Sequence, residues 1–159
     1  MDPTRRALTS LRLSAQRIAS PGGLTTPGEV VRWMLALQSQ DFPGARWSIA
    51  LRAPHTTAAD VDAALASGDI VRSWPLRGTL HIVPAEDLGW MLDIAVARQA
   101  TTAAKRRSDL GISDDELARA GDIAREVLAG RAVLRRDALL AEWERRGIPT
   151  TGQRAYHFL

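Results

Sequence analysis

Ile70-Val71-Arg72-Ser73-Trp74-Pro75-Leu76-Arg77-Gly78-Thr79-Leu80-His81-Ile82-Val83-Pro84 has strand character and lies between helical patterns. β-branched residues and alternation surround Pro75 and Gly78, so the segment reads as a β-hairpin. Upstream, Thr57 offers an N-cap to a helix over 58–67 whose Val61, Ala64 and Leu65 face one way, and Gly68 ends it. Residues 43–53 read as a short helix with Trp47, Ile49 and Leu51 supplying apolar contacts. Before that, Thr26 caps a helix with Pro27 at its first position, and Val30, Val31, Met34, Leu35 and Leu37 make an apolar face that runs to Gln38. Leu8, Leu11, Ala15 and Ile18 recur at three- and four-residue spacing from Thr4 to about Ser20, and Pro21-Gly22-Gly23 stops that pattern. Helices followed by a hairpin give the order of a winged helix, an order that other folds share.

Beyond the hairpin the chain reads as helices. Residues 86–108 carry Leu88, Met91, Leu92, Ala95 and Val96. Ser113 and Glu116 form a capping box opening a helix to residue 129, and 134–146 carry Leu139, Leu140 and Trp143. The fold class expected is mainly α with small β-hairpin wings, in a tandem winged-helix architecture. Residues 1–84 form the first unit, 85–112 a connecting helix, and 113–159 the start of a second unit. The end at Phe158-Leu159 lacks a C-cap, so that second unit is expected to be cut before its hairpin.

Composition narrows the chemistry. The 159 residues are 45% hydrophobic, enough for one ordinary core or two small ones. With 21 Lys and Arg against 18 Asp and Glu the formal net charge is only +3, and Lys105 is the sole lysine. Arginine favours planar, bidentate contact with phosphate and base edges. The pI of about 10.4 overstates the excess, because arginines do not titrate in the relevant range. Zero cysteines exclude a disulfide framework, a thiolate zinc site and a cysteine nucleophile. His55, His81 and His157 share no ligand spacing, so no metal is expected, and no cofactor. No apolar run has membrane-spanning length, and the expected setting is the cytoplasm, at the nucleoid. Serine-hydrolase, phosphate-loop and HExxH motifs are absent from the sequence.

Leu37-Gln38-Ser39-Gln40-Asp41 is the most informative stretch for chemistry. On a continuing helix Gln38 and Gln40 diverge by about 200°. On an extended segment, residues two apart share a side, and Pro43 disfavours helix just downstream. Spacing leaves two readings: a paired-amide site, or one amide satisfying a buried group while the other is solvated. Asp41 is a base in reserve. Trp74 and Trp90 are either core or exposed aromatic platforms for stacking.

Leu35-Ala36-Leu37-Gln38-Ser39-Gln40-Asp41, then Ala45-Arg46-Trp47, and above all Arg72 to Val83 resemble the N-terminal part of the AlkZ/YcaQ family of DNA glycosylases. Gly152-Gln153-Arg154-Ala155-Tyr156-His157 extends the resemblance to the end of the chain. It implies tandem winged helices holding duplex DNA, and hydrolysis of the N-glycosidic bond of alkylated bases or crosslink adducts. The family's catalytic motif is Gln-X-Gln or Gln-X-Asp with X usually apolar, which falls on Gln38, Ser39 and Gln40. Ser39 departs from that pattern.

The resemblance makes Gln38 and Gln40 the expected catalytic pair, one holding water and the other stabilising or orienting the sugar. Arg46, Arg72, Arg77, Thr79 and His81 are the expected DNA contacts, with Arg77, Thr79 and His81 sharing one strand face. Thr79 and His81 also fit a structural role, hydrogen-bonding the wing. Arg52, Lys105, Arg106 and Arg107 are further candidates for phosphate, although the 105–107 run also suits a solvated helix end. The expected partner is damaged duplex DNA, bound by a monomer with no membrane involved. A non-catalytic winged-helix DNA binder is the alternative, and a helical module whose hairpin pairs with a protein is a third.

Overall fold

The computed structural model describes residues 3–20, 22–130 and 133–159, without the side chains of residues 3 and 97–102. Pro21, expected to help stop the first helix, lies outside the described residues. The chain divides into two compact units, Met1–Ala97 and Arg98–Leu159. As expected, the fold is mainly α with a small antiparallel sheet.

The first unit runs α1 (Pro3–Ala15), α2 (Pro27–Met34), β1 (Leu37–Gln38), α3 (Phe42–Ala50), α4 (Ala58–Ser67), β2 (Ile70–Leu76) and β3 (Thr79–Pro84). A 3₁₀ turn at Ala85–Asp87 then leads into α5 (Leu88–Asp109), within which the boundary between the units falls. Local signals explain most boundaries. Thr26 accepts from the Glu29 amide while the Glu29 carboxylate reaches back to the Thr26 amide, a complete capping box, and Pro27 sits where its missing N–H costs nothing. Thr57 and Asp60 repeat the device for α4, which ends on Gly68 in the left-handed region.

The sheet order is β1-β3-β2, all antiparallel. Arg77 and Gly78 form a two-residue turn with φ of 53° and 67°, the positive values that match a hairpin's twist. Between Ser73 and Leu76 the register shifts, so Trp74-Pro75 form a bulge that takes Pro75, which has no N–H to give the ladder. One sheet face carries the row Leu37, Ile82 and Arg72, and the other carries Gln38, His81 and Ser73. Leu37, Ile70 and Ile82 join Val30, Val31, Ala45, Ile49, Ala53 and Val61 in the core of this unit.

Three helix expectations change. The first helix stops at Ala15, and its Leu8 and Leu11 remain exposed. The second ends at Met34, four residues short of Gln38, because Leu35 adopts a φ of 64° and turns the chain into β1. Such a conformation strains a bulky side chain by about 1–3 kcal/mol. In α3 only Ile49 of the expected apolar trio is buried. Trp47 is 69% exposed and Leu51 is exposed as well, since the helix packs through Ala45 and Ile49.

The second unit holds the end of α5 with α6 (Asp114–Leu128), α7 (Arg136–Arg145) and α8 (Ala155–Phe158). Its core is Ala120, Ile123, Trp143 and Ile148, with Phe158 set edge-on to Trp143 at 5.7 Å between ring centroids. Ser113 caps α6 by accepting from the Glu116 amide at 3.1 Å. The Glu116 carboxylate does not complete the expected box: it pairs with Arg154 at 2.5 Å.

Glu142 on α7 accepts from Arg145 and Arg146, which hold its carboxyl at about 2 instead of 4.5. Its folded value lies below its unfolded one, so the stability it adds is whole above about pH 4.5 and is lost as pH falls toward 2. Glu142→Gln is expected to flatten this acid limb, measured as the urea midpoint of the chain across that range. An unchanged slope would mean that the two arginine bonds are not differential between folded and unfolded chains.

Candidate active site

Because Leu35 ends α2 early, Gln38 lies on a strand and Gln40 follows two residues on, at a bend, and the two amides meet. Gln38 Nε2 donates to Gln40 Oε1 at 3.0 Å, and both residues are exposed. Gln38 Oε1 has no partner among the described residues, so this pair presents acceptor oxygens to solvent at the edge of the sheet. Ser39 between them points the opposite way and is fully buried. Its amide donates to Leu80 O at 2.8 Å, extending the β1–β3 pairing by one residue.

Arg72 closes the other side of Ser39. Its Nη2 donates to the Ser39 carbonyl at 2.7 Å, and its Nε lies 3.3 Å from both the carbonyl and the hydroxyl oxygen. The Ser39 hydroxyl is thereby buried without being left unpaired. The Arg72 guanidinium also stacks over Phe42 at 5.1 Å, and Arg46 stacks over the same ring at 4.7 Å. Arg46 is further tied to Asp62 at 3.0 Å. Arg46 and Arg72, both expected at phosphates, thus have partners within the chain. Arg52 does too: it is buried and donates to the Ser48 carbonyl and hydroxyl, and burial lowers its pKa.

Asp41 is the N-cap of α3 and accepts from the Gly44 amide at 3.2 Å. A Cβ on Gly44 would lie 2.4 Å from that carboxylate, so the close turn requires glycine. The carboxylate read as a base in reserve is engaged at this helix start.

His81 is the cross-strand partner of Gln38 on one side and of Ser73 on the other. Its Nδ1 lies 2.9 Å from the Thr79 carbonyl. A carbonyl only accepts, so Nδ1 carries the proton and Nε2 of the neutral ring is left as the acceptor. Thr79 shares this face and donates to Leu76 O at 3.1 Å. Arg77 does not share it: the residue occupies the hairpin turn, exposed and without a partner among the described residues. The side chains of Lys105 and Arg107 are likewise unpartnered among the described residues, while Arg106 donates to Gln153.

Trp74 and Trp90 are half exposed, not core, and Trp90 donates to Asp87 at 2.8 Å. Two participants escaped sequence reasoning. Ser73 was legible in principle from the hairpin register once the bulge is counted. Phe42 carried no signal, because its value lies in two arginines from distant positions. Among the described residues no cluster of His, Asp or Glu suits a metal, and no described helix is long and apolar enough to cross a membrane.

A family model described as DNA glycosylase AlkZ-like matches residues 31–159, which include every residue of this site. No curated protein and no solved structure matches the chain.

Proposed function

Because the chain belongs to the AlkZ-like DNA glycosylase family, we propose that it hydrolyses the N-glycosidic bond of purines made cationic by alkylation at N7 or N3, or of crosslink adducts, in duplex DNA. Membership carries the DNA glycosylase role and DNA as the partner. The substrate and the use of Gln38 and Gln40 as the reacting pair are the further step, and the hydrogen bond between those amides carries it.

A cationic purine takes the bonding electrons as the C1′–N bond breaks and leaves neutral, so it needs no strong acid. The sugar becomes oxocarbenium-like, and water adds at C1′, losing its proton to solvent and leaving an abasic site. The protein's task is then to hold the water and favour positive charge on the sugar. Amide oxygens suit both, and neutral amides are too weakly basic to force release of ordinary bases. His81 Nε2, on the row beside Gln38, is placed to meet the lesion or the opposing nucleotide. Arg77 at the hairpin tip, unpartnered among the described residues, is a cation available to a phosphate.

The order α2-β1-α3-α4-β2-β3 with sheet order β1-β3-β2 supports reading this unit as a winged helix, with β2–β3 as its wing. The helices from α6 onward are read as the start of a second. We read the protein as a monomer acting in the cytoplasm at the nucleoid.

The test is release of free 7-methylguanine from a duplex oligonucleotide, followed by chromatography, against the same duplex unmodified. Release from the methylated duplex alone is expected, together with binding that weakens steeply as salt rises. Firm, salt-sensitive binding without release of 7-methylguanine or 3-methyladenine would make the protein a non-catalytic binder.

A further inference from the structure

We propose that Arg72 is a positioning residue for the glutamine pair, holding the peptide between Gln38 and Gln40 through Ser39 instead of serving as a phosphate contact. The inference rests on the proposed role of those glutamines for its catalytic consequence, but its structural part stands apart from that role.

Ser39 is the hinge of the pair: its backbone sets the direction of the side chains on either side. Its amide is fixed by Leu80 O, and its carbonyl is met by two nitrogens of Arg72. The hydroxyl adds a third contact with Nε. Arg72 itself stands on β2, two strands away from β1, in register with Ile82, so the guanidinium ties the Gln-Ser-Gln segment to the far strand of the sheet. Phe42, two residues past Gln40, lies under the same guanidinium, and Arg46 lies over that ring as well. The segment is thereby held at Ser39 and again at Phe42.

A fork of donors performs this and a single ammonium does not. One arginine spans a carbonyl and a hydroxyl in a plane while stacking flat on a ring, whereas lysine keeps the charge but not the geometry. The two roles for Arg72 therefore diverge under Arg72→Lys. A phosphate contact tolerates the exchange, and a positioning fork does not.

The experiment compares the chain with Arg72→Lys, Arg72→Gln and Ser39→Ala on the 7-methylguanine duplex. It reads single-turnover release, affinity at several salt concentrations, and the side-chain amide NMR signals of Gln38 and Gln40 without DNA. Both Arg72 variants are expected to slow release about 100-fold, the scale of a catalytic group misplaced by about 1 Å. Affinity and its salt slope stay unchanged, and the two glutamine amide signals move toward free values. Ser39→Ala, which removes only the hydroxyl contact, shows the same pattern at smaller amplitude and carries the test should Arg72 variants fail to fold.

Unmoved amide signals in Arg72→Lys would overturn the proposal. So would an Arg72→Gln variant that keeps its release rate while the salt slope falls by about 1, the mark of a lost phosphate contact. If instead the amide signals move but Gln38→Ala and Gln40→Ala leave release untouched, Arg72 does position the pair and the glutamine mechanism is what fails.

Discussion

Gln38→Ala and Gln40→Ala are each expected to lower single-turnover release of 7-methylguanine by about 10²–10³-fold, the usual cost of removing one preorganised group facing transition-state charge. Binding of the damaged duplex stays within a few-fold of the parent, because exposed neutral amides contribute little to the phosphate contacts that dominate affinity. The two losses are not additive. Gln38 donates to Gln40, so removing either one also frees the other to rotate, and the double variant should be scarcely slower than the singles. Gln→Glu at either position separates the roles further. A carboxylate strengthens charge stabilisation at either place, but Gln40→Glu keeps the acceptor for Gln38 Nε2 whereas Gln38→Glu removes the donor, so release retained by Gln38→Glu marks Gln38 as the residue whose oxygen faces the sugar. Full activity in both alanine variants would remove the glutamines from the mechanism.

The largest stability effect is expected in the second unit. Trp143 is fully buried, donates its indole N–H to Ala120 O at 2.9 Å and packs edge-on against Phe158. Trp143→Ala opens a cavity among Ala120, Ile123 and Ile148 and removes the indole bond to the Ala120 carbonyl, a loss of about 3–5 kcal/mol. A unit whose buried core is this short has little else to draw on. Urea unfolding by circular dichroism is expected to show part of the helical signal lost at much lower denaturant, while the part due to Met1–Ala97 keeps its midpoint. A loss under about 1 kcal/mol would mean that Trp143 is not the centre of this core.

Punctuation made the fold legible wherever a residue does one local job. Thr26-Pro27, and Thr57 with Gly68, each mark a boundary by side-chain hydrogen bonding or by φ; the turn at Arg77-Gly78 was not read, since Arg77 was placed on a strand face. The early end of α2 carried no such mark. Leu35 is an ordinary helix former in a conformation that only tertiary contacts stabilise, and the apolar run through Leu37 continues the helical period. Hence β1, two residues long, stayed hidden, and with it the reason why Gln38 and Gln40 converge. Spacing left the glutamines two readings, one of them a shared side in extended chain, and it was the resemblance that made them the expected pair. The partners that hold them were not visible, since Arg72 lies 33 positions from Ser39 and an arginine's preference between phosphate and peptide is invisible in sequence. The exposed indole of Trp47 in α3 was misread for a related reason: a tryptophan's burial depends on what packs beside it, and Ala45 and Ile49 had already taken the inner face.

The placement of the tryptophans divides the protein optically. Trp33, Trp47, Trp74 and Trp90 stand exposed in Met1–Ala97, and Trp143 alone is enclosed, in Arg98–Leu159. Iodide therefore quenches the red-emitting fluorescence of the first unit and spares the blue emission of the second. A polyanion laid along the hairpin and α3 would shield Trp74 and Trp47 from the quencher without changing the blue emission. Intrinsic emission thus separates occupancy of the glutamine-bearing unit from unfolding of its neighbour in one titration, with no label attached.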